Sequence, residues 1–162
     1  MTWWKTSALK RVQSCSQYNV HEPLKEFVRK IKPFIPRLKL ATVAHITGIL
    51  EITLHLDEDF LDRVASKLLD SLHQARLKDI TKIARTCSVL NHRPQVGDKD
   101  MFEELLIFVD RRLSREECLQ HPSKCVELLA ALARMGLLGL DVVAGFICNF
   151  HPRTQRYLYA VS

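Results

Sequence analysis

Apolar residues recur along this chain in two interleaved series, each with helical spacing. In the stretch beginning at Leu38, the positions Leu40, Val43, Ala44, Thr47 and Leu50 form one stripe of an α-helix, because i, i+3, i+4 and i+7 lie on one face. The same places hold Ile80, Ile83, Ala84, Cys87 and Leu90 forty positions on, and Val126, Leu129, Ala130 and Ala133 repeat four of them a further 46 positions on. Small residues within the stripe, Ala44, Ala84 and Ala130, allow a neighbouring helix to come close. Between these stretches runs the second series. Leu61, Val64, Ala65, Leu68 and Leu72 become Phe102, Leu105, Leu106, Val109 and Leu113 at a shift of 41, and another 41 leads to Val143, Phe146, Ile147 and Phe150. One stripe specifies only a bundle. Two stripes recurring near 40 residues predict an all-α fold of three stacked helical hairpins, α-solenoid-like, preceded by one or two basic helices; a non-repetitive α-bundle is the alternative.

Breaker residues divide the pattern. Pro33 and Pro36 close off a basic segment, residues 1–37, ahead of the hairpin repeats in residues 38–162. Asp57, Glu58 and Asp59 load the first turn of a helix with negative charge, as its macrodipole favours. Asn91 to Asp98 is the one convincing loop, Pro122 suits a first helical turn, and Gly136 and Gly139 mark a helix end. Only 5 Gly and 6 Pro occur in 162 residues, too little turn material for a sandwich or barrel of many short strands.

Charge sharpens the picture. Residues 1–40 carry nine Lys or Arg against the two acids Glu22 and Glu26, an excess that accounts for all of the net +6. The cluster includes Arg29, Lys30 and Lys32, and such a concentration attracts polyanions. Residues 1–21 hold no acid, several Ser and Thr, and Trp4, Ala8 and Val12 at helical spacing, which is similar to a mitochondrial import presequence. A first amphipathic helix packed on the next is the alternative. No secretory core segment is visible, and no apolar run approaches the roughly 20 residues a bilayer needs. The five cysteines, Cys15, Cys87, Cys118, Cys125 and Cys148, read as thiols of a reducing compartment, used mainly as small buried hydrophobes.

First helices of the type LKDITKIARTCSVL and KCVELLAALARMGLL, followed by second helices such as DMFEELLIFVDRRL, resemble the FAST-kinase-domain-containing proteins. The likeness covers roughly Leu38 to Arg153 and rests on the apolar pattern and an Ala-rich first helix. It implies octotricopeptide-like repeats that bind single-stranded RNA, in a mitochondrial matrix protein acting on transcript stability, processing or translation. Members of that family also carry a C-terminal RAP domain, for which the residues after Phe150 are too few, so the resemblance implies a partial array. A cytoplasmic location is the alternative.

In hairpin-repeat readers the first helices line one surface, where polar groups meet bases and basic ones hold phosphates. Lys78, Lys82 and Arg85 share a face by their i, i+4, i+7 spacing and are expected to contact phosphate. His45, Thr81 and Ser88 are expected near the bases, and matching places in the third repeat hold Lys124 and Arg134. A surface helix must be polar somewhere, so a protein-interaction scaffold that takes a peptide or helix without nucleic acid is the competing reading.

Metal and catalysis find little support. Cys118, His121 and Cys125 have C-x2-H-x3-C spacing, and Cys148 with His151 repeats C-x2-H, but neither pair has the C-x2-C spacing of a strong zinc signal. Cys118, His121, Cys148 and His151 are therefore weak candidates, and no cofactor is expected. The adjacent carboxylates Glu103–Glu104 and Glu116–Glu117 diverge by about 100° on a helix and cannot face one substrate. No glycine-rich phosphate loop, HRD-like loop, DFG or G-x-S-x-G elbow occurs, so an enzyme is not expected.

Overall fold

A computed structural model of the chain describes residues 21–112 and 120–138. Their elements are α1 (His21–Ile31), a 3-10 helix (Lys32–Arg37), α2 (Leu40–Thr53), α3 (Glu58–Asp70), α4 (Leu77–Val89), β1 (Gln95–Val96), β2 (Lys99–Asp100), α5 (Met101–Arg112) and α6 (Pro122–Arg134). Among the described residues the fold is all-α apart from one ribbon of two strands, each two residues long. None of the described helices is long and apolar enough to cross a membrane. The expected positions Leu113, Gly139, Val143, Phe146, Ile147, Phe150, Trp4, Ala8 and Val12 lie outside the described residues, as do Cys118, Cys148 and His151.

The first helices α2, α4 and α6 lie side by side with α4 in the middle, and α3 packs against both α2 and α4. Each first helix ends in the same way. A residue with positive φ, Leu54 (51°), Asn91 (53°) or Gly136 (76°), follows the helix. The next amide donates back across the last turn, His55 N to Leu50 O at 2.9 Å, His92 N to Cys87 O at 2.9 Å and Leu137 N to Leu132 O at 3.1 Å. These are three copies of the Schellman motif, which satisfies carbonyls that a helix end leaves open.

Helix starts differ because their caps differ. Asp57 accepts the Phe60 amide at 3.0 Å and opens α3. Asp100 opens α5 by accepting the amides of Phe102 at 2.8 Å and Glu103 at 3.1 Å. The segment from Asn91 is more ordered than a loop. Its second half pairs Gln95 with Asp100 and Val96 with Lys99 in an antiparallel ribbon, turned at Gly97 with φ 62°. Asp100 also accepts from Arg93 and, at 2.7 Å, from Gln95, and these side-chain bonds close the ribbon onto the helix start.

The periodic stripes are buried where the forty-residue shift places them in the first two repeats. Val43, Ala44, Thr47 and Leu50 are buried, and so are Ile80, Ile83, Ala84 and Cys87. In the second helices Phe60, Leu61 and Val64 have their counterparts in Met101, Phe102 and Leu105, all fully buried. Two details differ from the sequence expectation. In α6 the buried stripe is Cys125, Leu128, Leu129 and Leu132, while Val126, Ala130 and Ala133 are half-buried. Apolar residues cover so much of α6 that two neighbouring stripes fit the pattern, and packing against α4 selects between them. In α5 Phe108 is buried, and Leu106 and Val109 only in part.

The basic segment from His21 joins this core. Leu24, Val28 and Ile35 belong to the same buried cluster as Val43 and Phe60. Pro33 and Pro36 sit within the 3-10 helix, tied to α3 where Lys67 Nζ donates to the Pro36 carbonyl at 2.9 Å.

Candidate nucleic-acid interface

Three parallel choices of sequence build a cationic groove. Lys78, Lys82 and Arg85 of α4 lie off its buried stripe, and α2 and α6 form walls on either side of them. The result is a groove of about 310 Å³ lined by His45 from α2, Lys78, Lys82 and Arg85 from α4, and Lys124 and Glu127 from α6. Four cationic side chains thus meet one lining carboxylate.

The cations are not equivalent. Lys82 Nζ lies 3.2 Å from His45 Nδ1, and its stem crosses α2 over Gly48. Lys78 is exposed on the rim. Among the described residues, the ion pairs include none between a carboxylate and Lys78 or Lys82. Arg85 is held. Its Nε donates to Glu51 at 3.1 Å and its Nη1 to Glu127 at 3.1 Å, so one guanidinium spans all three first helices. Lys124 Nζ lies 2.7 Å from the other Glu127 oxygen.

Several expected contacts are redirected inward. Thr81 is fully buried and its hydroxyl donates to the Lys124 carbonyl at 3.2 Å, joining α4 to α6. Ser88 is also buried, donating to the Arg85 carbonyl at 2.9 Å and accepting from Arg134 Nη1 at 3.4 Å. Neither hydroxyl faces a ligand, since both lie on the flank of α4 that α6 covers. Arg85 likewise acts first as a tie between helices. His45, Lys78, Lys82 and Lys124 are the expected residues that the fold brings together on an open surface.

The N-terminal cluster contributes differently. Lys32 Nζ sits 2.7 Å from Asp57 and 3.1 Å from Asp59, at the start of α3. Burial alone would lower its pKa, but these carboxylates outweigh burial and raise it above the usual lysine range. Arg29 and Lys30 are exposed on α1 and share Glu26, whose carboxyl hydrogen bonds from Arg29 and then Lys30 push down to about 2. These three residues are absent from the groove lining; they lie on α1 and the 3-10 helix, which pack on each other, the 3-10 helix also against α3.

Carboxylates are what the sequence pattern missed. Glu127 lines the groove and Glu51 holds Arg85 from α2, and no repeat shift signals either, because the shifts of 40 and 46 set His45 and Ala131 opposite Arg85. For metal, His121 is exposed at the start of α6 while Cys125 is buried one turn in. Among the described residues no three His, Cys, Asp or Glu side chains gather closely enough to hold an ion. Cys87 is fully buried, and burial first, then the charge of Asp62, pushes its thiol up to about 12.

The chain has a distant mitochondrial relative. Over 126 residues, 75% of its length, it is 26% identical to FAST kinase domain-containing protein 5, mitochondrial, from Pongo abelii. It spans 16% of that protein's length. No family model matches the chain, and no solved structure matches it.

Proposed function

We propose that this chain is an RNA-binding helical-repeat segment of a mitochondrial protein, acting on transcript stability, processing or translation by holding single-stranded RNA rather than by catalysis. The observation that carries the reading is the groove of His45, Lys78, Lys82 and Lys124, in which Lys78 and Lys82 of the middle first helix have no carboxylate partner among the described residues and are flanked by His45 of α2 and Lys124 of α6. Phosphates are the natural counter-ions for such a surface, and a single strand leaves its bases free for the polar groups beside them. The distant likeness to a mitochondrial FAST kinase domain-containing protein supports the location. Stacking of these hairpins in an α-solenoid-like manner belongs to the same proposal.

The test is fluorescence anisotropy with a labelled single-stranded RNA. Binding should weaken as salt rises, with a log–log slope near −0.7 for each phosphate contact. Lys78→Ala combined with Lys82→Ala should lower affinity and flatten the slope by about 1.4, two contacts' worth. Binding that ignores salt, or that the double variant leaves intact, removes the proposal. A fluorescent fusion of residues 1–37 checks the location, and a diffuse cytosolic signal counts against mitochondria.

A second reading draws on Ile49, Ile52, Leu54 and Leu56, which are exposed in and just after α2. An apolar surface of this kind suits a protein-interaction scaffold. Capture of a helical peptide with little salt dependence, and no RNA binding, favours it.

A further inference from the structure

Where α2 passes α4, Gly48 lies under the side chain of Lys82. A Cβ placed on Gly48 would sit 2.5 Å from Lys82 Cε, 3.2 Å from Nζ and 3.7 Å from Cδ. The lysine stem occupies the space that a side chain on α2 would fill. From that path, Nζ reaches His45 Nδ1 at 3.2 Å.

A glycine inside a helix weakens it relative to alanine, so its presence in the middle of α2 asks for a reason. The first-helix scaffold does not demand it. Forty residues on, the corresponding place in α4 holds Ser88, which carries a Cβ and is buried without difficulty.

We propose that Gly48 is a positioning residue of the groove: lacking a Cβ, it lets Lys82 cross α2 and fixes its ammonium beside His45 as a donor to one phosphodiester oxyanion. The proposal rests on the RNA reading of this groove. Its chemistry is specific. An ammonium has three donors and no acceptor, so the His45 Nδ1 facing it must accept, and the ring proton sits on Nε2. Lys82 thereby presets His45 as a second hydrogen-bond donor at the same site.

The experiment compares Gly48→Ala, Lys82→Ala and the double variant by RNA anisotropy across salt, by thermal melting, and by ¹⁵N NMR of the His45 ring. Gly48→Ala should fold, since the added methyl meets the far end of a flexible side chain, and it should melt at the parent temperature or higher. It should nevertheless lose several-fold in RNA affinity and about 0.7 in salt slope, as Lys82→Ala does. The double variant should bind no more weakly than Lys82→Ala alone, and both single variants should shift the His45 Nδ1 resonance. An unmoved His45 resonance in Gly48→Ala overturns the proposal. So does a Gly48→Ala loss that persists in full when Lys82 is already alanine. If both variants move the resonance while RNA binding is unchanged, the positioning of Lys82 stands and the RNA reading fails.

Discussion

Arg85 of α4 and Glu51 of α2 are joined at 3.1 Å between Nε and Oε2, and the other face of the same guanidinium holds Glu127 of α6. The hydroxyl of Thr86 lies 3.2 Å from the same Glu51 oxygen. A residue whose spacing suggests a ligand contact is thus a cross-brace between first helices. The three charged side chains are about one-fifth to one-third exposed, so solvent screens them in part. Arg85→Ala should destabilise the fold by about 1–2 kcal/mol, because two carboxylates lose their shared partner. Arg85→Lys should recover only part of this, since one ammonium cannot match a planar fork of donors. Urea denaturation measures both, and an unchanged midpoint in Arg85→Ala refutes the brace.

Leu54 ends α2 in the left-handed region, with φ 51°, and its side chain is more than half exposed. Gly136 fills the same role after α6 without strain. Replacing Leu54 with Gly should stabilise the chain by about 0.5–1 kcal/mol, through relief of the Cβ contact that disfavours this conformation. A lower melting temperature in Leu54→Gly would show that its apolar contacts outweigh the strain.

Asp100 is buried, which alone would raise its pKa, yet hydrogen bonds from Arg93, the Glu103 amide, Gln95 and the Phe102 amide outweigh burial and lower it. A carboxylate whose folded pKa is depressed contributes stability above its unfolded value and loses it as pH falls. The contribution should therefore be complete at neutral pH and decline below about pH 4, where an unfolded Asp takes up a proton. Asp100→Asn should cost about 1–2 kcal/mol at pH 7 and make the stability curve flatter between pH 5 and about 3. A parallel curve for parent and variant would exclude this role.

Cys87 is enclosed between the first and second helices, and its thiol is pushed up to about 12. The thiolate is the reactive form, so native protein should leave Cys87 unmodified by iodoacetamide at pH 8. Peptide mass spectrometry should find it alkylated only after denaturation. Labelling in the native state at the denatured rate would mean that α4 opens readily.

Much of this architecture is legible before any folding, for a local reason. Apolar residues at i, i+3, i+4 and i+7 define one helical face wherever the helix ends up, so Val43, Ala44, Leu61, Ile83 and Phe102 could be assigned to a core from spacing alone. The shift of about 40 between stripes likewise specifies alternating first and second helices. The lysines at 78 and 82 could be placed on a common open face by the same rule.

What the pattern left open depends on how helices sit beside one another. Spacing along α4 cannot tell whether Thr81 and Ser88 meet solvent or α6, because both flanks of a helix are equally polar until a neighbour covers one. It cannot pair Arg85 with Glu51 and Glu127, which come from helices 34 and 42 residues away. Nor can it choose between the two apolar stripes of α6, or see that the space above Gly48 belongs to Lys82. Periodicity is a property of one helix, whereas burial and charge pairing are set by lateral register between helices, and only the folded chain fixes that register.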